Sequence, residues 1–328
     1  MPEIRKLSYG EAANAALRRA LEERPEVLVY GEDVGVPGGV FGVTKGLRKQ
    51  FGDRVFDTPI SESAIIGSAV GAAMFGRRPV VEIMWTDFFL VALDQVVNQA
   101  ANVRYVSEGR LTAPITIRTQ QGVAPGSCAQ HSQSLEAFFL HTPGIRVCMP
   151  VTAQDSYDLL LSSIACDDPV VVIENRTLYH GGKQEVSVGG PVAAIGGLRT
   201  RRSGTAATAV TWGAMSRQVV DAADVLAAEG QEVEVLETPW LDPFPWDEVL
   251  TSVAKTRRLV VAHEANRTGG FGAEVLARVA EAGIELAAPP VRVAVPDLRL
   301  PSAPGLAAAV VPAADDVTGA LRQVVAAR

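Results

Sequence analysis

The stretch "TPISESAIIG", residues 58–67, carries one carboxylate, Glu62, at the head of a small and apolar run that reaches Phe75. Two kinds of work are open to it. With Ser61 as N-cap, Glu62 falls in the first helical turn, where the helix dipole favours a negative charge by about 0.3–1 kcal/mol. An acid at the mouth of an apolar helix is also a candidate for proton transfer, which needs a carboxyl held beside a reacting group. His131, in "GVAPGSCAQHSQSLEAF", has the same double reading: a hydrogen-bonded loop residue, or a proton carrier oriented by Gln130, Ser132 and Gln133. In "WTDFFLVALDQVVNQAANVRY", Phe88 and Phe89 read plainly as core residues heading a helix, Phe89 above all. Asp94, Gln95, Asn98 and Asn102 recur along that helix at spacings of three and four, which points to another subunit or to a buried network.

Other chemistries leave no trace. The histidines His131, His141, His180 and His263 form no pair at metal-ligand spacing. There is no GxxxxGK[ST], no GxSxG and no HExxH, and "GVPGGVFG" (35–42) lacks the spacing of a dinucleotide loop. "TGGFGAEV" (268–275) fits a plain loop-to-helix turn as well as it fits an anion cradle.

Positioning these residues falls to a repeated strand–helix pattern. Strands are expected at 27–33, 54–59, 79–85, 113–119, 145–151 and 169–175, with helices at 9–23, 63–75, 88–107 and 153–165. The alternation predicts a mostly parallel sheet covered on both faces. A Gly-rich, basic stretch, 180–204, interrupts it, and strands near 205–213, 232–239, 258–265 and 291–297 resume it with helices between. The fold class is therefore α/β, with two doubly wound domains, 1–180 and 205–328, joined by a linker at 181–204. Ligands of such sheets gather at the carboxyl ends of strands. Glu32, Asp33, Glu62, Asp87, the loop 119–131, His263 and Glu264 all stand there.

The bulk properties bound the partners. A net charge of −7 over 328 residues leaves no basic excess for nucleic acid. Cys128, Cys148 and Cys166 form no CxxC pair, which suits a reducing, cytoplasmic setting. The N-terminal 26 residues read as an amphipathic helix without the apolar core of a signal peptide, and "AIIGSAVGAAMFG" is too short for a bilayer, so no membrane role is expected.

In order, "GEDVG", "GGVFGVTKGLRKQFGDRVFDTPISESAIIGSAVGAAMFGRRPVVE", "DFFLVALDQVVNQAANVRY", "GSCAQHSQSLEAFFLHTPGIRV", "DPVVVIEN" and "HEANRTGGFGAEV" resemble the beta subunits of thiamin-diphosphate-dependent 2-oxoacid dehydrogenases, which include the pyruvate, branched-chain and acetoin complexes. The resemblance runs from about residue 3 onward and is weakest after about 285. It implies a pyrimidine-binding domain followed by a transketolase-like C-terminal domain. It implies an α2β2 heterotetramer whose alpha subunit holds the diphosphate and Mg²⁺ through a GDG motif, and this chain has no GDG. The expected substrates are a 2-oxoacid or acetoin, with the acyl group passed to the lipoyl groups of a transacylase core.

By position, the resemblance makes Glu62 the acid on the aminopyrimidine ring nitrogen, Phe88 the ring's stacking partner, and Ile60 and Met84 its lining. It makes Glu32 an acid near the cofactor and His131 the histidine that handles protons around the intermediate and in acyl transfer. Some relatives bind K⁺ through backbone carbonyls. Ile115, Ser163, Cys166 and Asp168 match those positions, but Cys166 departs from the commoner Asp, which leaves that site open. Two rival readings stand beside this one: a carboligase or ketol transferase of the same superfamily, and a non-catalytic scaffold subunit, which predicts loss of the base that Glu62 supplies.

Overall fold

A computed structural model of the chain describes residues 2–124 and 126–327. Contacts divide it into two units. One holds the chain up to Gln121 together with Phe138–Ile195, and the other holds Gly122–Ala137 together with the chain from Gly196 onward. Sequence order alone puts 122–137 inside the first domain; by contacts this segment clusters with the second.

The first unit contains strands β1 (Glu3–Leu7), β2 (Val27–Gly31), β3 (Val55–Asp57), β4 (Arg78–Ile83), β5 (Thr116–Gln121), β6 (Arg146–Cys148), β7 (Val170–Asn175) and β8 (Gln184–Val188). Along this part of the chain run helices α1 (Tyr9–Glu23), α2 (Leu47–Phe51), α3 (Glu62–Met74), α4 (Thr86–Phe89), α5 (Val103–Val106), α6 (Glu136–Leu140) and α7 (Ala153–Ala165). Within the unit the parallel strands lie in the order β6-β7-β5-β4-β2-β3. Every residue of β5 and β7 is buried, as a sheet covered on both faces requires. The chain leaves β2 for β3 on one side, then returns through α3 to β4 on the other. That reversal makes the carboxyl end of β2 a topological switch point, the place where the crevice of such sheets takes its ligands.

Two local features differ from the sequence reading. Residues 3–7 are not helical but form β1, paired antiparallel with β8 from Glu3↔Val188 to Leu7↔Gln184. Ser8 and Glu11 close a capping box that starts α1 at Tyr9, so the helix cannot run back through them. The single helix expected over 88–107 is broken into α4, a 3₁₀ turn at Leu90–Ala92, a π turn at Gln95–Gln99, a further 3₁₀ turn at Ala100–Asn102, and α5. Within this chain Asp94, Asn98 and Asn102 of its polar stripe are exposed and Gln95 is half-buried, so the stripe is not a buried network of this chain, and a surface for another subunit is the expectation that stands. Asp94 accepts from Asn98 Nδ2 at 2.7 Å and from Gln95 Nε2 at 3.0 Å, while Asn102 donates to the carbonyls of Val97 and Asn98.

The second unit contains β9 (Arg199–Arg202), β10 (Ala207–Thr211), β11 (Val233–Glu237), β12 (Trp240–Asp242), β13 (Leu259–Asn266) and β14 (Val291–Val295), with helices α8 (Met215–Ala228), α9 (Trp246–Thr256), α10 (Gly272–Glu281), α11 (Pro304–Ala308) and α12 (Ala314–Ala326). Its sheet runs β14-β13-β10-β11-β9, parallel except for β9. An apolar layer of α8 and α12 residues, including Val219, Leu226, Leu321 and Val324, packs on Val235 and Val260 of that sheet. Among the described residues no helix is long and apolar enough to cross a membrane.

Candidate active site

Five of the residues singled out by sequence follow the carboxyl ends of three neighbouring strands. Gly31 closes β2 and Glu32 follows it. Asp57 closes β3 and leads through Ile60 to Glu62. Ile83 closes β4 and leads through Met84 to Phe88 on α4. Cross-strand pairing aligns the three exits: Gly31 lies opposite Asp57 on one side and Glu82 on the other. Two further bonds tie the loops to this level. Thr58 N–H donates to the Gly31 carbonyl at 2.9 Å, and the Asp57 carboxylate accepts from Gly35 N–H at 2.6 Å and Val36 N–H at 3.0 Å.

Glu62 is the first residue of α3. Ser61 occupies the N-cap position with φ −163° and ψ 87°, but its side chain makes no capping hydrogen bond, so the capping half of the sequence reading is not realised through Ser61. The Glu62 carboxylate is half-buried and has no hydrogen bond or ion pair among the described residues. Its charge reaches Glu32: burial first, then Asp33, then Glu62 push the Glu32 carboxyl up from its ordinary value. Four residues before Glu62, the buried Thr58 hydroxyl also lacks a hydrogen-bond partner. Ile60 projects with 72% of its surface exposed beside these polar groups. An acid, a hydroxyl and an exposed apolar side chain thus lie within five residues of the β3 end.

The β4–α4 turn is held from behind. Trp85 adopts a left-handed φ of 62°, with the Arg176 guanidinium 4.8 Å above its ring and Phe41 edge-on at 5.7 Å. Phe88 N–H donates to the Trp85 carbonyl at 3.1 Å. Phe88 is half-buried, whereas Phe89 is fully buried against Phe139. The two neighbouring phenylalanines thus separate into a core residue and a half-buried one.

His131 belongs to the second unit. Its loop is fastened at both ends to the carboxyl end of that unit's sheet: Val123 N–H donates to Glu264 Oε1 at 3.0 Å, and Trp212 Nε1 donates to Glu136 Oε1 at 3.2 Å. Arg299 holds Gln133 at 2.6 Å. The His131 ring itself is half-buried.

Ile115, Ser163, Cys166 and Asp168 come together at the C-terminal end of α7. The Ile115 carbonyl accepts from Val170 N–H at 2.9 Å, and the Ser163 carbonyl from Cys166 N–H at 3.2 Å. The Cys166 carbonyl accepts from the Arg78 guanidinium at 2.9 Å, and that guanidinium also serves the Ile164 carbonyl at 3.1 Å. The Asp168 carboxylate pairs with Arg104 and Arg146. Among the described residues no group of three or more His, Cys, Asp or Glu is arranged to hold a metal.

Sequence reasoning missed the layer beneath the strand ends. Glu82, Arg118 and Glu174, on adjacent strands β4, β5 and β7, form a buried ionic group with Gln120 and Tyr179. Its signal was in plain view: one charged residue inside each of the apolar strands "PVVEI", "ITIRT" and "VVVIE". A charge buried on both faces of a parallel sheet must be paired.

Comparison with known proteins places both units. Residues 5–181 match the model of the transketolase pyrimidine binding domain, and residues 196–317 that of the transketolase C-terminal domain. The chain is 42% identical over 293 residues to the pyruvate dehydrogenase E1 component subunit beta of Bacillus subtilis, covering 89% of this chain and 90% of the relative. It is 40% identical over 328 residues to the acetoin:2,6-dichlorophenolindophenol oxidoreductase subunit beta of Cupriavidus necator, covering 93% and 96%. A split-gene transketolase, solved as an inactive beta4 tetramer, superposes with a TM-score of 0.81 over 98% of this chain and 99% of its own, at 22% identity, and so shares the fold.

Proposed function

Because the chain belongs to the transketolase-like family of pyruvate and acetoin dehydrogenase beta subunits, we propose that it is the pyrimidine-side half of a thiamin-diphosphate site completed by an alpha subunit in an α2β2 assembly. The observation that carries this reading is the half-buried Glu62 carboxylate, without a hydrogen bond or ion pair among the described residues, just past the strand ends that Glu32 and Met84 also follow.

Thiamin diphosphate, when bound, supplies the nucleophile and the electron sink for breaking the bond beside a carbonyl. The chain's own residues bind, orient and exchange protons. Glu62 would hold the aminopyrimidine ring through a hydrogen bond. Phe88 would stack on that ring, an arrangement worth about 0.5–1.5 kcal/mol beyond burial. Ile60 and Met84 would exclude water from its edge. Glu32, with its carboxyl pushed up, stays closer to a protonated state than an exposed acid and tempers the charge near Glu62. His131 carries protons during acyl transfer. Mg²⁺ and the diphosphate are assigned to the alpha subunit, and a potassium ion to the carbonyls of Ile115, Ser163, Cys166 and Asp168. Melting the pair in potassium against sodium buffer tests the last assignment; equal melting curves contradict it.

The reaction is oxidative decarboxylation of a 2-oxoacid, or cleavage of acetoin, with acyl transfer to lipoyl groups. The test is product analysis on the pair with pyruvate, branched 2-oxoacids or acetoin, offering free lipoamide and an aldehyde as competing acceptors. Acyl-lipoamide is the expected product. A ketol product with no acyl-lipoamide contradicts this reading in favour of a carboligase.

A further inference from the structure

Arg118 is 1% exposed and lies at the centre of the first unit's sheet. Its Nε and Nη2 grip Glu174 as a fork, at 3.0 and 2.7 Å, while Nη1 reaches Glu82 on the opposite neighbouring strand. Gln120 Nε2 spans the same two carboxylates, at 3.2 Å to Glu174 and 3.4 Å to Glu82. The Tyr179 hydroxyl donates to Glu174 and receives Arg118 Nη2 at 3.3 Å. Only a planar guanidinium can bond both carboxylates along fixed directions at once; an ammonium is a point charge.

The position of this group matters more than its strength. Strand pairing places Asp57, Gly31, Glu82, Arg118 and Val172 in one row across five strands. The segments that carry Glu62, Glu32 and the Met84–Phe88 turn leave the sheet immediately beyond that row. Glu82 is two residues before Met84, and its partner Gly31 is one residue before Glu32. We propose that Arg118 is a positioning residue for the candidate active site: by bridging Glu82 and Glu174 it fixes the strand-end row from which the cofactor-facing carboxylates and aromatic ring depart. The inference rests on the functional reading above.

The test uses the complex with its alpha subunit and three variants, Arg118→Met, Arg118→Lys and Tyr179→Phe. The last keeps the ring against Tyr9 and Phe41 and removes only the hydroxyl. For each, the melting temperature, the Kd for thiamin diphosphate, and kcat and KM are measured on folded complex. Arg118→Lys is expected to weaken thiamin diphosphate roughly tenfold and to lower kcat, since charge survives but the fork is lost. Arg118→Met is expected to be worse, and Tyr179→Phe to shift Kd in the same direction by about threefold, as the loss of one hydrogen bond to a charged group allows. A purely structural role lowers the melting temperature and yield but leaves the Kd of the folded fraction unchanged. If Arg118→Met does not assemble, Arg118→Lys and Tyr179→Phe decide. Folded Arg118→Lys and Tyr179→Phe complexes with wild-type Kd and kcat overturn the positioning role while leaving the functional reading intact. A wild-type complex that binds no thiamin diphosphate removes that reading, and the positioning role with it.

Discussion

A methyl group added at Gly31 would lie 2.5 Å from the carbonyl oxygen of Glu82, and Gly31 has a φ of 154°. Strands β2 and β4 therefore approach at their carboxyl ends only because residue 31 has no side chain. Gly31→Ala is expected to force the two strand ends apart and strain the backbone, at a cost of about 1–3 kcal/mol. It should weaken thiamin diphosphate binding by the pair more than tenfold while distant parts of the fold stay intact. Isothermal titration of the variant pair checks this, and wild-type affinity would refute the strand-end geometry.

Glu62 contributes little to the fold. Among the described residues it makes no hydrogen bond or ion pair, and its first-turn position is worth about 0.3–1 kcal/mol at most. Glu62→Ala is therefore expected to leave assembly and melting nearly unchanged. Turnover should fall by roughly 10²–10⁴, the range for a missing acid–base group. Steady-state rates set beside sedimentation of the variant pair measure both effects.

The two glutamates flanking Arg118 are not equivalent. Burial raises the Glu82 carboxyl above its ordinary value, although Arg118 opposes it, while Glu174 holds the guanidinium fork. A group whose folded pKa is raised contributes stability that is present at low pH and is lost as pH rises through the folded value. Glu82→Gln, which removes that titration and the charged partner of Arg118 Nη1, is expected to flatten the loss and to cost less than the matching change at Glu174. Glu174→Gln strips the fork of its charged partner and is expected to cost about 3–5 kcal/mol. Urea unfolding of both variants at pH 6 and pH 8 distinguishes them. Equal destabilisation would contradict the asymmetry.

His263 is fully buried, its ring stacked on Trp212 with centroids 5.2 Å apart, and neither ring nitrogen makes a well-formed hydrogen bond among the described residues. Burial first, then the Arg292 charge, hold its pKa down to about 4, against a smaller upward pull from the Ala265 backbone. The unfolded chain takes up this proton near pH 6.5 and the folded chain only near pH 4. Stability is thus lost as pH falls through that window, by about 3 kcal/mol. His263→Phe removes the proton site and should lessen acid destabilisation by that amount. Denaturant unfolding of wild type and variant from pH 7 to pH 4 is the measurement, and parallel curves would count against it.

The long elements were legible because their signals are local. The expected helices at 9–23 and 153–165 coincide with α1 and α7, each started by a capping box, and the apolar runs before Gly31 and Ile83 are strands. Glu32 and Glu62 were legible as residues that follow strand ends, whereas Ile60, Met84 and Phe88 came only from the family resemblance. What escaped depends on contacts distant in sequence. Leu7 pairs with Gln184, and the loop 122–137 is claimed by Glu264 and Trp212, more than seventy residues beyond it. The π turn at 95–99 gives no periodic signal, and the role of Arg118 needs both neighbouring strands in register before it can be seen.

The most direct test of the central claim is dye-coupled turnover with thiamin diphosphate, Mg²⁺ and either pyruvate or acetoin, run on this chain alone, on the alpha subunit alone and on the pair. The account predicts turnover in the pair only, and its disappearance when the pair carries Glu62→Ala. Turnover by this chain alone, or full activity of the Glu62→Ala pair, would contradict a shared site in which this chain supplies the acid.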